Sequence, residues 1–166
     1  MTTLPSDPQE LLRYYRGRKT PLHFVDRAGR QKAVAHLRGR FPEACEGIRK
    51  TADMVSERRF PLAGNPREIP FWPMDRPIDW NRSPNGDREG FKTLQRMGYT
   101  LPLAQSYWLT SDERYIEVFV ELCREWIDRH PYPEEEEDYL HVYGKWNILD
   151  SALRVKTWIQ VFAMSC

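Results

Sequence analysis

Apolar positions recur at helical spacing along most of the chain, in stripes that are thin at first and broad toward the end. The order Ser6 or Asp7, Pro8, Glu10 reads as an N-cap, a first-turn proline and an acidic first turn. It opens a helix carrying Leu11, Leu12, Tyr14 and Tyr15 and ending at Gly17. Arg30 to Arg38 and Pro42 to Val55 predict two further helices. The first has Ala33, Val34 and Leu37 on one side, and the second has Ile48 and Val55 at a seven-residue interval.

From Phe60 to Asp87 the pattern changes to Pro61, Gly64, Pro66, Pro70, Pro73, Pro77, Pro84 and Gly86. Prolines remove backbone donors and fix φ, so this density excludes regular helix and disfavours a central strand. Phe71, Trp72, Ile78 and Trp80 supply enough apolar surface to hold the segment down as an ordered loop.

Helices return beyond Asp87. One is predicted from Glu89 to Leu109, bent at Pro102. Thr110 or Ser111 then caps a second, from Asp112 to Arg129, which His130 and Pro131 stop. On that helix Tyr115, Val118, Phe119, Leu122 and Trp126 form one stripe, and Ile116, Val120, Cys123 and Ile127 form an adjacent one. So wide an apolar arc requires neighbours on more than one side. The acidic run Glu134 to Asp138 belongs in a solvated loop. A third helix follows from Lys145 to Ala163, with Trp146, Leu149, Leu153, Trp158, Ile159 and Phe162 as its apolar positions. The chain reads as all-α packed helical hairpins: N-terminal helices over residues 1–59, a proline-rich irregular loop over 60–86 and further helices over 87–166. No tandem repeat of fixed signature is present.

Composition changes this picture in few ways. The 166 residues, 40% hydrophobic, suit one domain or one piece of a larger one. Six Trp and eight Tyr make an aromatic-rich chain, which serves either as core filler or as platforms for flat ligands such as sugar rings. The formal net charge is +1, so no global field recruits nucleic acid or a membrane surface, and neither partner is expected. Residues 1–70 carry 14 Lys/Arg against 8 Asp/Glu, while 71–166 carry 11 against 16. Cys45, Cys123 and Cys166 are widely spaced and odd in number, which indicates neither a disulfide framework nor a metal site. No cofactor is expected. The opening MTTLPSDPQE has no signal-peptide pattern and no later run is long enough to span a membrane. As written the chain reads as cytoplasmic, or as periplasmic or secreted if a leader was removed.

The elements Ile78-Asp79-Trp80-Asn81, then Pro84, Asp87 and Glu89, then Leu94-Gln95-Arg96-Met97, then Pro102-Leu103-Ala104, Tyr107 and Thr110-Ser111-Asp112-Glu113-Arg114-Tyr115, occur in a distinctive order. They resemble the N-terminal helical region of heparinase II/III-type polysaccharide lyases. Trp126-Ile127, Trp146, Leu149 and Arg154 continue the resemblance, which covers the last 90 residues or so well and the first 60 loosely. Ser111 stands where that family usually has glycine. The resemblance implies an incomplete (α/α) toroid, which in the complete enzyme packs against a β-sandwich-like domain. It further implies cleavage of acidic polysaccharides such as heparin, heparan sulfate or alginate by β-elimination beside a uronic acid.

Such chemistry needs a group that neutralises the uronate carboxylate, a base for the C5 proton and an acid for the leaving oxygen. The resemblance places these roles on Asn, Tyr and His residues beyond the region covered, so no catalytic residue is assigned, and the chain alone is expected to be inactive. His141 and Tyr143 lie in the loop before Lys145 and read as exposed. The expected partners are an acidic polysaccharide and the missing remainder of the lyase. Candidate substrate-binding residues are Trp80, Asn81 and Arg82 on the irregular loop, Arg96 on its helix, and Trp146 and Arg154 near the third helix. For Trp80 the alternative is a loop anchor in the core. For Arg96 it is a salt bridge to Glu89 or Asp87. Two rival readings stand beside the lyase. One is a non-catalytic carbohydrate-binding or interaction module. The other is a glycoside hydrolase toroid, for which Asp79 and Glu89 would have to serve as opposed carboxylates.

Overall fold

A computed structural model describes residues 7–17, 29–62, 71–83, 86, 88–131 and 146–165. Helix α1, Pro8–Arg16, starts as its sequence requires, with Asp7 Oδ2 accepting the Glu10 N–H at 2.9 Å. Helix α2, Arg30–Arg40, and helix α3, Pro42–Ser56, meet at Phe41. Pro42 opens α3 in the first turn, where its missing N–H costs nothing. Of the paired apolar positions on α3, Val55 is fully buried and Ile48 is half-buried.

The expected irregular segment 60–86 contains regular pairing. Strand β1, Arg59–Pro61, pairs antiparallel with β2, Phe71–Pro73, in the register Arg59 to Pro73, Phe60 to Trp72 and Pro61 to Phe71. In a two-stranded ladder both strands are edges, so a proline can sit at a strand end without removing a bond from the interior of a sheet. Arg58 enters the ladder with φ +61°, and its buried guanidinium reaches Glu121 at 2.5 Å and Glu125 at 2.8 Å. Glu125 also accepts the Ile78 N–H, so one side chain on the next helical layer ties down both the hairpin and the loop after it.

The helix expected from Glu89 to Leu109 is two helices. α4, Arg88–Arg96, ends at Met97, which has φ +55°, and a 3-10 turn at Gly98–Thr100 leads into α5, Leu101–Thr110. Pro102 lies in the first turn of α5 rather than at a bend inside a longer helix. The break is thus set by the left-handed residue before Gly98. Helix α6, Arg114–Arg129, follows, and here too the boundary differs in detail. Ser111 closes α5 in the left-handed conformation, φ +63°, while Asp112 Oδ1 accepts the Arg114 N–H at 3.1 Å at the start of α6. His130 and Pro131 end α6 as expected. Helix α7 spans Ile148–Ser165, so it begins slightly later than expected. The acidic run Glu134 to Asp138 and the pair His141 and Tyr143 lie outside the described residues.

The described part is therefore all-α with one small ladder. Helix α5 is its central element, packed against α3, α6 and α7. The core joins Val55, Phe60, Ile78, Leu94, Leu103 and Leu122, and the Phe60 and Tyr99 rings stack at 4.4 Å between centroids. The first stripe on α6 is the inner one: Tyr115, Phe119, Leu122 and Trp126 are buried, while Ile127 of the second stripe is exposed. On α7 the expected apolar positions divide, with Trp158 packed against the core and Leu153 half-buried. Its buried positions are Asp150, Arg154, Thr157 and Val161, and Leu149, Ile159 and Phe162 face outward. The polar side faces inward because α4 offers it hydrogen-bonding partners, and these form the site described next.

Candidate functional site

Arg154 rises from the inner face of α7 and lies flat against Trp126 of α6, with its guanidinium carbon 3.7 Å from the indole centroid and 5.8 Å from that of Trp146. This geometry lets the ring quadrupole stabilise a charge that has little contact with water. Nη1 donates to the Gln95 carbonyl at 2.7 Å and Nη2 to Ser151 Oγ at 3.1 Å. Burial lowers the Arg154 pKa to about 10, with Asp150 acting in the opposite direction. The charged form still dominates at neutral pH.

Gln95 is the hub. Its side-chain amide donates to the Trp80 carbonyl at 2.7 Å, and its Oε1 accepts the Trp126 indole N–H at 3.0 Å. These two bonds fix which end of the amide is which. His130, buried at the end of α6, stacks on Trp126 at 4.4 Å and meets Trp80 edge-on at 6.3 Å. Its Nδ1 lies 2.6 Å from the Trp126 carbonyl. A carbonyl oxygen can only accept, so Nδ1 carries a hydrogen. Trp146 completes the aromatic group, edge-on to Trp126 at 5.2 Å, with its indole N–H on the Pro131 carbonyl at 3.1 Å.

Arg96 stands at the rim. Its Nε donates to Asp150 Oδ1 at 2.7 Å, while Nη1 is 3.9 Å from Glu89. The main partner is therefore Asp150, a buried carboxylate 54 positions away, and Glu89 is a looser neighbour beyond hydrogen-bond length. Arg96 keeps 26% of its side chain exposed. Of the six residues singled out from sequence, the fold thus gathers Arg96, Trp146 and Arg154, with Trp80 behind them. Trp80 is 1% exposed, so its ring presents no face to a sugar, and it is the core anchor of its loop. Its buried indole N–H has no hydrogen-bond partner among the described residues. Asn81 and Arg82 are exposed on the outer side of that loop. Arg82 borders a separate small pocket of about 230 Å³ with Trp72, Met74, Asp75 and Asp79.

Gln95, Trp126, His130 and Asp150 were not singled out as site residues. In sequence Gln95 and Asp150 look like ordinary helix positions and Trp126 like one member of an apolar stripe. Only the polar character of Asp150 and Arg154 at i, i+4 hinted that this face of α7 is not an ordinary apolar one. Among the described residues no group of three or more His, Cys, Asp or Glu is placed to hold a metal, and no helix is long and apolar enough to cross a membrane.

The described residues thus form an all-α scaffold in which one buried guanidinium, that of Arg154, lies against packed tryptophans and a second, that of Arg96, stands at the rim. The chain belongs to the heparinase II/III family: the model for the heparinase II/III N-terminus matches residues 3–165. The match therefore includes the first 60 residues, whose resemblance from motifs alone was loose. A heparin-sulfate lyase from Bacteroides thetaiotaomicron is 33% identical over 57 residues, a segment covering 34% of this chain and 8% of that relative. No solved structure matches the chain.

Proposed function

We propose that this chain is the N-terminal portion of the (α/α) toroid of a polysaccharide lyase acting on acidic, uronate-containing and possibly sulfated polysaccharide such as heparin or heparan sulfate by β-elimination. It supplies scaffold and part of one wall of the substrate groove, and it is inactive alone. Family membership over nearly the whole chain carries this reading. The rim arginine supports the groove role. Asp150 holds Arg96 through Nε, and among the described residues the other carboxylate paired with it is the exposed Glu89 at 3.9 Å, which an anionic sugar can displace. Trp146 lies near the same corner.

The test has two arms. Incubation with heparin, heparan sulfate and alginate, followed by unsaturated-uronate absorbance, should show no turnover, and turnover by the chain alone would refute its inactivity. Retention on immobilised heparin should weaken in Arg96→Lys, which keeps a charge for Asp150 but loses the planar fork. Equal retention of parent and variant at every salt concentration removes Arg96 from the groove.

A second reading, a non-catalytic carbohydrate-binding module, is favoured by the pocket beside Arg82. There an indole, two carboxylates and a guanidinium line one small concavity. Glycan-array binding without turnover, weakened by Arg82→Ala and unchanged by Arg96→Lys, selects it.

A further inference from the structure

Helix α2 is attached in an unusual way. It buries no residue, yet it is fastened to the C-terminal end of α5 by two arginines. Arg30 donates to the Tyr107 carbonyl at 2.7 Å, the Trp108 carbonyl at 3.0 Å and Ser111 Oγ at 3.0 Å. Arg38 donates to the Leu109 carbonyl. These carbonyls lie in the last turn of α5, where helical partners run out, so the arginines act as caps as well as clamps. The apolar side of α2 is left above a cavity of about 550 Å³ that runs between α2, α3, α5 and α7.

The chemistry of the cavity is one-sided. Val34, Leu37, Phe41, Trp108 and Met164 represent its walls, and among the described residues that line it Lys156 is the one that is charged. The Trp108 indole N–H is already bonded to the Met164 carbonyl at 2.6 Å, so that ring presents its apolar surface. Leu37 and Phe41 remain 41% and 51% exposed. A volume in the range of small-molecule sites, apolar walls and a single cation without a lining carboxylate complement a molecule with a long apolar tail and one negative head.

We propose that this cavity is a binding site for a single-chain amphiphilic anion, a long-chain carboxylate whose tail lies under α2 and whose head pairs with Lys156. The site is separate from the Arg96 and Arg154 cluster and does not depend on the lyase reading.

The experiment titrates the full chain with saturated carboxylates of increasing length, below their micelle-forming concentrations, and follows Trp fluorescence and calorimetric stoichiometry. One molecule should bind per chain, with affinity rising about fourfold per added methylene until the cavity is filled. Lys156→Gln should weaken the carboxylate about two- to fivefold, as expected for an exposed ion pair, and leave the alcohol of equal length unchanged. Ala163→Phe, which projects a ring into the cavity, should abolish saturable binding of both while keeping the parent's circular dichroism. Val34→Arg, a charged wall, should do the same and covers the case in which Ala163→Phe fails to fold. Absence of saturable binding, indifference to chain length, or full binding by a folded wall variant overturns the proposal. So does concentration-dependent dimerisation that carboxylates do not reverse, which would make the cavity a contact between copies.

Discussion

Replacing Arg58 tests how the hairpin is held. Its side chain is 6% exposed and pairs with Glu125, 15% exposed, and with Glu121, 46% exposed. Among the described residues, Arg58→Ala leaves the Ile78 N–H as the partner of the Glu125 carboxylate. Breaking a buried pair on one side costs about 3–5 kcal/mol, and water screens the Glu121 contact enough that it adds well under 1 kcal/mol. A loss of about 3 kcal/mol is expected, the low end because Glu125 retains some solvent. The backbone supplies an internal control. Arg58 has φ +61°, a conformation that costs a residue with a Cβ about 1–2 kcal/mol and costs glycine little. Arg58→Gly therefore loses the same ion pairs but relieves that strain, and it should be more stable than Arg58→Ala by about 1 kcal/mol. Urea unfolding followed by Trp fluorescence measures both. Equal stabilities would refute the backbone argument, and losses under about 1 kcal/mol in both variants would refute the role of the ion pairs.

Ser111→Gly should stabilise the chain by about 0.5–1 kcal/mol, since Ser111 occupies a left-handed cap and gives up only an exposed bond from Arg30; thermal unfolding reads it as a rise of a few degrees. Gln95→Leu strands the Trp126 indole N–H and the Trp80 carbonyl together, so a loss of about 2–4 kcal/mol is expected in the same assay, and a neutral result would remove Gln95 as the hub. Burial pushes the Cys123 thiol up to about 12 from 9.0, so alkylation followed by mass spectrometry should label Cys123 in urea and spare it in the native chain. The same shift makes stability depend on pH. Above pH 9 the unfolded thiol ionises and the folded one does not, so the unfolded state binds fewer protons and stability falls by about 1 kcal/mol between pH 9 and 10. Tyr99, whose pKa burial also raises, extends the fall at higher pH, whereas the lowered pKa of Arg154 opposes it above about 10. Cys123→Ala should flatten the profile between pH 9 and 10.

Local chemistry determined much of the fold. The Asp7 cap, Pro42 at the start of α3, and His130 with Pro131 after α6 all act within a few residues, and the helices begin or end there. The order of motifs from Ile78 to Tyr115 was enough to point to the family. Where boundaries failed, two signals competed. Pro102 reads either as a kink or as a first-turn residue, and the backbone sign at Met97 chose the latter.

Tertiary structure decided which face of α7 turns inward. Its sequence offers an apolar side through Leu149, Ile159 and Phe162 and a polar one through Asp150, Arg154 and Thr157, and apolar burial alone favours the first. The inward choice depends on partners 50 or more positions away: Arg96 for Asp150, and the Gln95 carbonyl for Arg154. No periodicity within α7 encodes those contacts. The same reason separates Trp80 from the exposed Asn81 and Arg82 beside it, because a ring becomes an anchor or a platform according to what packs over it.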